Sequence, residues 1–569
     1  MALSDADRLA LLTGPQGTFP LRQRHRAGHT VEVFDREPRT LRDAFLALSG
    51  FGDRVAIVYE QQRWSFAELA SETARVAQLL TGHYGIRKGD RVGIAMRNYP
   101  EFVFVFAATQ IIGAVAVPLN AWLRQDELVD LLNDATPDVL IADQARVDFV
   151  HGQVSIPVVG VRATQLPDGV GDYDALVNAD RSSTPTVPEV SVEPDDPATI
   201  LFTSGTTAKP KAVVHTHQNH SASLLNKLIR AVQIAAAEPG AAPVVSPPAA
   251  ACKLVTFPFF HIAGINTMYN TLYSGQSLVL MYKWDAHEAV RLVDHEGVTE
   301  ISGAPFVVQT FLAAARDTDH DLGSLRSLGM GGGAAPQQLI SAIDDVFGGS
   351  VTPRTGYGMT ETTSGIVAIS GEDLRARPTS VGRSLPTVEV AIVDGDHQSV
   401  SPGDEGQVAV RGPQVIDGYQ GGVSAESFVD GWFLTGDLGR RDEDGFIYLV
   451  GRLKDVVIRG GENVSCLEVE QVLERHPAVV EAAVLGAPHD TLGEEVVAVV
   501  SLAADAPVEV SPAELTSFAG ERLAAFKVPA RVAVVRQPLP RTASGKVIKR
   551  DLVRELDLQW LLAAGTVSM

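Results

Sequence analysis

The run Ala198-Thr199-Ile200-Leu201-Phe202 passes directly into Thr203-Ser204-Gly205-Thr206-Thr207-Ala208-Lys209-Pro210-Lys211. The first segment reads as a buried strand. A strand that opens into a small, hydroxyl-rich turn presents backbone N–H groups and side-chain donors, a geometry suited to phosphate. The neighbouring lysines would neutralise its charge. A Walker loop is excluded, because Gly-x-x-x-x-Gly-Lys-Ser/Thr is absent here. Taken alone, the segment reads equally well as an exposed loop, since Gly, Thr and Pro are ordinary loop residues.

The pattern upstream predicts how such a strand is housed. Ser65-Phe66-Ala67-Glu68 has capping-box spacing and opens a helix with Leu69, Val76 and Leu80 on one face. The turn Arg87-Lys88-Gly89-Asp90 leads into a strand over 91–96. Asn98 and Pro100 then start a helix that Gly113 ends before a strand over 114–117. This repeat predicts an α/β fold of mostly parallel sheets covered by helices. Residues 164–197, rich in Pro, Asp, Ser and Thr, and the proline-containing run 235–251 read as exposed connections. Past Gly451 the texture becomes a small α+β pattern. It predicts a helix over 467–475, strands over 479–485 and 496–502, and a capped helix start at Ser511-Pro512-Ala513-Glu514.

A chain of 569 residues exceeds one core and implies at least two domains. Its net charge of −22 disfavours nucleic acid or an anionic membrane as the main partner, so a polyanionic ligand must meet local clusters of Lys and Arg. Cys252 and Cys466 imply neither a disulfide framework nor a cysteine-rich metal site, which fits a reducing cytoplasm. The first residues carry acids where a signal peptide needs bases. The most apolar long segment, 102–118, holds Thr109, Gln110 and Gly113 and reads as a buried helix and strand, not a transmembrane segment. Peripheral membrane contact stays open, because a water-poor substrate can be collected from a bilayer.

Four further segments follow Thr203–Lys211 in order. They are Tyr357-Gly358-Met359-Thr360-Glu361-Thr362, Gly431-Trp432-Phe433-Leu434-Thr435-Gly436-Asp437, Gly451-Arg452-Leu453-Lys454-Asp455 and Pro540-Arg541-Thr542-Ala543-Ser544-Gly545-Lys546. Together the five resemble the signature set of the adenylate-forming superfamily: acyl-CoA synthetases, aryl-CoA ligases, luciferases and peptide-synthetase adenylation domains. The resemblance implies a large N-terminal domain over residues 1–453 that binds ATP and the acyl group. It also implies a small, mobile α+β lid over residues 454–569, pivoting at Lys454. ATP, magnesium and the co-substrate CoA are implied with it, and a homodimer is left open.

Activating a carboxylate with ATP sets an anion against a triphosphate, so positioned donors, cations and metal must stabilise the transition state. By resemblance, Thr203, Ser204, Gly205, Thr206, Thr207 and Lys211 form the triphosphate loop. Ala208 and Ala212 stand where the family usually has glycine; their methyl groups exclude backbone of positive φ and predict altered pyrophosphate handling. Tyr357 would stack against adenine with Gly358 in the same nucleotide segment, Thr360 would contact the α-phosphate, and Glu361 would coordinate magnesium, which needs few protein ligands. Gly332, Gly333, Ala334 and Pro336 belong to a segment without bulky side chains, expected beside adenine and the acyl pocket. Asp437 would accept both ribose hydroxyls, with Arg452 beside it. Lys546 would bridge the substrate carboxylate and the α-phosphate. Outside this motif context, Asp437, Arg452 and Lys546 would each read as ordinary surface charges, and Glu361 as a helix N-terminal acid.

Pro258-Phe259-Phe260-His261 resembles the acyl-CoA synthetase segment beside the acyl pocket and thiol tunnel, with His261 as a gate. A lone His in an apolar run is otherwise a core residue. The pocket candidates are His261, Ile262, Ala263, Gly264, Thr267, Gly303, Ala304, Phe306 and Gly332, none of them a fixed charge. No Asp lies between Pro258 and Tyr273 to hold an α-amino group, which disfavours amino acids. Gly460 and Gly461 resemble the hairpin that lines the pantetheine channel, pointing to CoA. The expected activity is ATP-dependent acid–CoA ligation through an acyl-adenylate, releasing pyrophosphate and AMP. The expected acid is a medium- or long-chain fatty acid or similar apolar carboxylate, which would place the enzyme in lipid metabolism. The alternatives are a fatty acyl-AMP ligase loading a carrier protein, an aryl-CoA ligase, a luciferase-like oxygenase, or a non-catalytic nucleotide-binding regulator.

Overall fold

The structure is a computed structural model describing residues 5–26, 28–179, 184–203, 210–235, 251–332, 335–453, 455–460, 462–503, 510–542, 545 and 547–562. Its centre is the helix Pro100–Ile111, in which every residue is buried. Such a helix must be covered on all sides. The helices Leu41–Ala47 and Phe66–Gln78 pack on it, and two large sheets enclose the resulting core. The second of these helices starts as its capping box predicts: Ser65 accepts from the Glu68 N–H and the Glu68 carboxylate accepts from the Ser65 N–H.

One large sheet runs in the order 211–216, 197–203, 115–118, 91–95, 139–143, 158–161, 171–172. All its neighbours are parallel except Lys211–Thr216, which returns antiparallel along Pro197–Thr203. The other has nine strands. Its six central ones (352–359, 327–330, 300–303, 252–255, 277–280 and 55–59) are parallel, with antiparallel strands at both edges. These are the parallel sheets covered by helices that the βα repeat predicts. A third, antiparallel sheet includes Trp432–Arg441, which pairs with Ile447–Arg452.

The last sheet holds 456–459, 462–465, 479–489, 493–502 and 531–535. Its two apolar clusters draw only on residues from Val457 onward. The helix there spans Cys466–Leu473, and the strands 479–485 and 496–502 prove longer. They continue toward each other as one hairpin, His489 pairing with Gly493. Residues 164–197 are not all loop: Gly171–Asp172 adds an edge strand, and the helix Tyr173–Val177 buries both its terminal side chains. Among the described residues no helix is long and apolar enough to cross a membrane.

Candidate active site

Parallel strands converge at their C-terminal ends, where open α/β sheets form crevices. In the nine-stranded sheet those ends are Gly303–Ala304, Gly331–Gly332 and Tyr357–Met359, and beside them opens a cleft of about 680 Å³. Ala304, Phe306, Gly332, Pro336, Tyr357, Gly358, Asp437 and Arg452 line it. Its far wall comes from the C-terminal unit, through Arg541, Gly545 and Val547.

The contact between the two walls is close. Gly545 has φ +85°, and a Cβ there would lie 2.6 Å from the Cβ of Ala304, so both conformation and space demand glycine. Arg541 donates to the Gly545 carbonyl at 2.7 Å, pairs with Glu481, and lies over the Phe306 ring. Lys546 lies outside the described residues, but Gly545 and Val547 on either side of it both line the cleft.

Asp437 is buried, and its two oxygens face different donors: the Tyr357 hydroxyl at 2.6 Å and Arg452 Nε at 2.7 Å. Burial, and then the Asp437 charge, push the Tyr357 phenol well above its ordinary pKa, so it remains a donor. Gly358 is glycine for a steric reason, since a Cβ would meet the Ser364 carbonyl oxygen at 2.1 Å.

Thr203 and Lys211 pair across the antiparallel ladder, which sets them together at the mouth of their sheet. Lys211 donates to Ser424 at 2.6 Å and lies 5.0 Å from the centre of the Tyr419 ring. The Tyr419 hydroxyl in turn donates to Glu361 Oε1 at 2.8 Å. Tyr419 therefore joins two expected site residues and was not itself singled out from the sequence. Glu361 Oε2 has no partner among the described residues, so one hard oxygen remains for a cation. That donor set fits magnesium bound largely through phosphate and water.

Ser204, Gly205, Thr206, Thr207, Ala208, Gly333, Ala334, Lys454 and Gly461 lie outside the described residues. Ala212 pairs with Phe202 in a regular ladder and does not have positive φ, so its methyl strains nothing. Gly460 turns the hairpin 456–465 with φ +61° and does not border the cleft.

Among the pocket candidates, His261, Ile262, Ala263, Gly264, Thr267 and Gly303 also do not border this cleft. His261 caps the helix Ile262–Tyr273, and its Nε2 is buried without a partner among the described residues. Burial lowers its pKa to about 4, leaving a neutral ring. A Cβ on Gly264 would strike the Pro258 carbonyl oxygen at 2.1 Å, and one on Gly303 would meet Val307 and Thr256 below 3 Å. Close packing thus accounts for both glycines.

Residues 46–420 match the AMP-binding enzyme family, and residues 468–546 match the AMP-binding enzyme C-terminal domain. The chain is 34% identical over 509 residues to 2-succinylbenzoate–CoA ligase of Bacillus subtilis (strain 168), covering 88% of this chain and 95% of that protein. The solved o-succinylbenzoate CoA synthetase (MenE) from Bacillus subtilis, in complex with the acyl-adenylate intermediate OSB-AMP, superposes with a TM-score of 0.75 at 31% identity. That match covers 90% of this chain and 97% of the other. The anthranilate CoA ligase AuaEII in complex with anthranoyl-AMP superposes with a TM-score of 0.79 at 26% identity, covering 92% and 98%. The chain belongs to the AMP-binding enzyme family, as an adenylate-forming enzyme of the AMP-forming acid–CoA ligase type.

Proposed function

We propose that this enzyme joins an aromatic carboxylic acid to CoA in two steps. The substrate carboxylate attacks the α-phosphorus of ATP, and the bond to pyrophosphate breaks. The CoA thiol then attacks the acyl carbonyl of the adenylate, and AMP leaves. The 2-succinylbenzoate and anthranilate ligases do not support the fatty-acid and lipid-metabolism expectation. The acids named for the 2-succinylbenzoate and anthranilate ligases carry a benzene ring, which supports the aryl alternative.

The observation that carries the reading is the seating of Gly545 on Ala304, which brings the residues on either side of Lys546 to the cleft holding Asp437 and Arg452. In that arrangement Lys546 neutralises the two anions that must meet, and orientation and charge act together. Asp437 and Arg452 take the ribose, Thr203 and Lys211 the triphosphate, and Thr360 the α-phosphate. Glu361 would hold magnesium, which supplies charge neutralisation on the phosphates when bound. The lid comprises residues 454–569 and pivots at Lys454 on a body of residues 1–453, bringing Gly460 and Gly461 to the pantetheine arm. His261, neutral and with its buried Nε2 unpartnered among the described residues, gates the thiol path. The buried thiols Cys252 and Cys466 are free, which supports a cytoplasmic location.

The test is AMP formation across 2-succinylbenzoate, anthranilate, benzoate, octanoate and palmitate, with CoA as acceptor. Aromatic acids should give the highest kcat/KM. A preference for palmitate would restore the fatty-acid reading. Discharge to a phosphopantetheinylated carrier but not to CoA would favour a carrier-loading ligase.

A further inference from the structure

Three histidines lie within six residues at His215, His217 and His220, all fully buried. Two of them belong to one chain of side-chain hydrogen bonds. His215 Nε2 lies 2.7 Å from the Thr360 carbonyl oxygen, and its Nδ1 lies 3.0 Å from Thr199 Oγ1. Thr199 Oγ1 lies 3.0 Å from His220 Nε2, and His220 Nδ1 lies 3.4 Å from the Tyr269 hydroxyl. The amide of Asn266 donates to that hydroxyl.

For two neutral imidazoles, chemistry orders the protons. A carbonyl oxygen only accepts, so His215 must carry its proton on Nε2 and accept at Nδ1. Thr199 has one hydroxyl proton and gives it to His215, so it must accept from His220 Nε2–H. His220 Nδ1 must then accept from Tyr269, whose oxygen accepts from Asn266. Every donor points the same way, from the helix Ile262–Tyr273 to Thr360. Burial holds both rings neutral, lowering His215 to about 4 and His220 well below its ordinary value.

A second branch leaves the same amide. Asn266 donates to Ser223 Oγ at 3.0 Å, and Ser223 donates to the Thr363 carbonyl at 2.8 Å. Between these points Gln414 donates to the carbonyls of Thr362 and Gly365, and the Ile416 N–H donates to the Glu361 carbonyl. Thr363 and Ser364 have φ of +50° and +83°, which persists only where the surroundings over-determine the backbone.

We propose that His215 is a positioning residue for adenylation. By donating Nε2–H to the Thr360 carbonyl it fixes Thr360 and Glu361, while the chain through Thr199, His220 and Tyr269 selects the tautomer that can donate. The inference rests on the reading of Thr360 and Glu361 as nucleotide and magnesium residues. It ties that segment to the helix whose first turn includes Ile262 and Ala263, and to the strand that leads into the triphosphate loop.

The test uses full-length wild-type enzyme with His215→Phe, His215→Gln and Tyr269→Phe. Glutamine offers an NH2 donor and a carbonyl acceptor, so it can replace both ring contacts. Each protein is assayed for acid-dependent ATP–pyrophosphate exchange, for discharge of supplied acyl-adenylate by CoA, and for thermal midpoint. Removing the bond to a buried carbonyl should slow exchange by about tenfold or more in His215→Phe, with discharge changed less than about twofold. His215→Gln should recover most of the exchange rate. Should His215→Phe fail to fold, Tyr269→Phe carries the test, with a smaller selective loss of exchange. Equal exchange rates in folded Phe and Gln variants, parallel loss of both half-reactions, or an unaltered Tyr269→Phe would each overturn the proposal. Absence of exchange by wild type with every acid would instead overturn the underlying reading.

Discussion

The Tyr419 hydroxyl donates to Glu361 Oε1 at 2.8 Å, while the ammonium of Lys211 lies 5.0 Å from the centre of the same ring. One side chain thus spaces the cation and the carboxylate expected to share the triphosphate and its metal. Tyr419→Phe keeps the ring and removes only the hydroxyl. A hydrogen bond to a charged acceptor is worth about 1.5–3 kcal/mol, so the magnesium concentration for half-maximal adenylation should rise by roughly tenfold. Burial and the Glu361 charge push the phenol above its ordinary pKa. It is therefore a donor throughout, and the defect should be constant between about pH 6 and 9. An unchanged magnesium dependence would separate Tyr419 from the metal site.

Asp437 offers a sharper chemical test, because its two oxygens already meet Tyr357 and Arg452. Asp437→Asn preserves shape but turns one acceptor into a donor. The KM for ATP should rise by about tenfold or more, as expected when a charged hydrogen-bonding group is lost. Wild type should also discriminate against 2′-deoxy-ATP, and the variant should discriminate much less. If both proteins lose the same factor on 2′-deoxy-ATP, Asp437 does not read the ribose hydroxyls.

The buried histidines predict an acid-sensitive fold. Burial lowers His215 and His217 to about 4 and holds His220 well below its ordinary value, whereas unfolded imidazoles titrate near the ordinary 6.5. Below that value the unfolded chain takes up protons that the native state refuses. Stability is therefore fully present above about pH 6.5 and lost as pH falls towards 4, by up to about 1.4 kcal/mol per unit for each ring. Urea midpoints should be level from about pH 8 to 7 and fall steeply from 6.5 to 5. The slope should be shallower in His217→Asn, which keeps an acceptor for the Leu41 N–H now bound by His217 Nδ1. A midpoint independent of pH down to 5 would mean that these rings titrate normally.

The sequence reveals the local features and little of the long-range ones. Capping at Ser65 and the continuous apolar face of Pro100–Ile111 are local, so the helices and the layered α/β class follow from them. The short elements at Gly171–Asp172 and Tyr173–Val177 carry no periodic signal and exist because Tyr173 and Val177 find the core. At the site, three of the five motif segments deliver Tyr357, Asp437 and Arg452 to one cleft, and a fourth adds Arg541 and Gly545. The groups that hold this cleft's loops come from elsewhere: Tyr419, His215, Ser223 and Gln414 act on carbonyls or carboxylates 49 to 145 positions away. A cluster of three histidines was a visible signal, but its meaning depends on which carbonyl each ring meets.

The hinge can be tested by exchanging which half-reaction fails. Lys454 lies outside the described residues, and the proposed pivot has an anchored neighbour on each side. The Leu453 N–H donates to the Gly436 carbonyl at 2.9 Å, on the body side. Asp455 pairs with Lys549 at 2.7 Å, on the proposed lid side, while its N–H donates to the Arg452 carbonyl at 3.0 Å. The torsions between these anchors are those a lid rotation must change. Lys454→Pro fixes φ near −65° and removes an N–H, so it should hold the lid as it stands, with Gly545 on Ala304. Acyl-adenylate should then form at a near-normal rate and accumulate, because CoA discharges it poorly. Lys546→Ala should do the reverse, abolishing adenylation while discharging supplied acyl-adenylate largely as wild type. Rapid-quench measurement of adenylate formation, followed by addition of CoA, reads both. Normal discharge by a folded Lys454→Pro enzyme would move the pivot elsewhere, and equal loss of both steps in Lys546→Ala would remove that lysine from the first half-reaction.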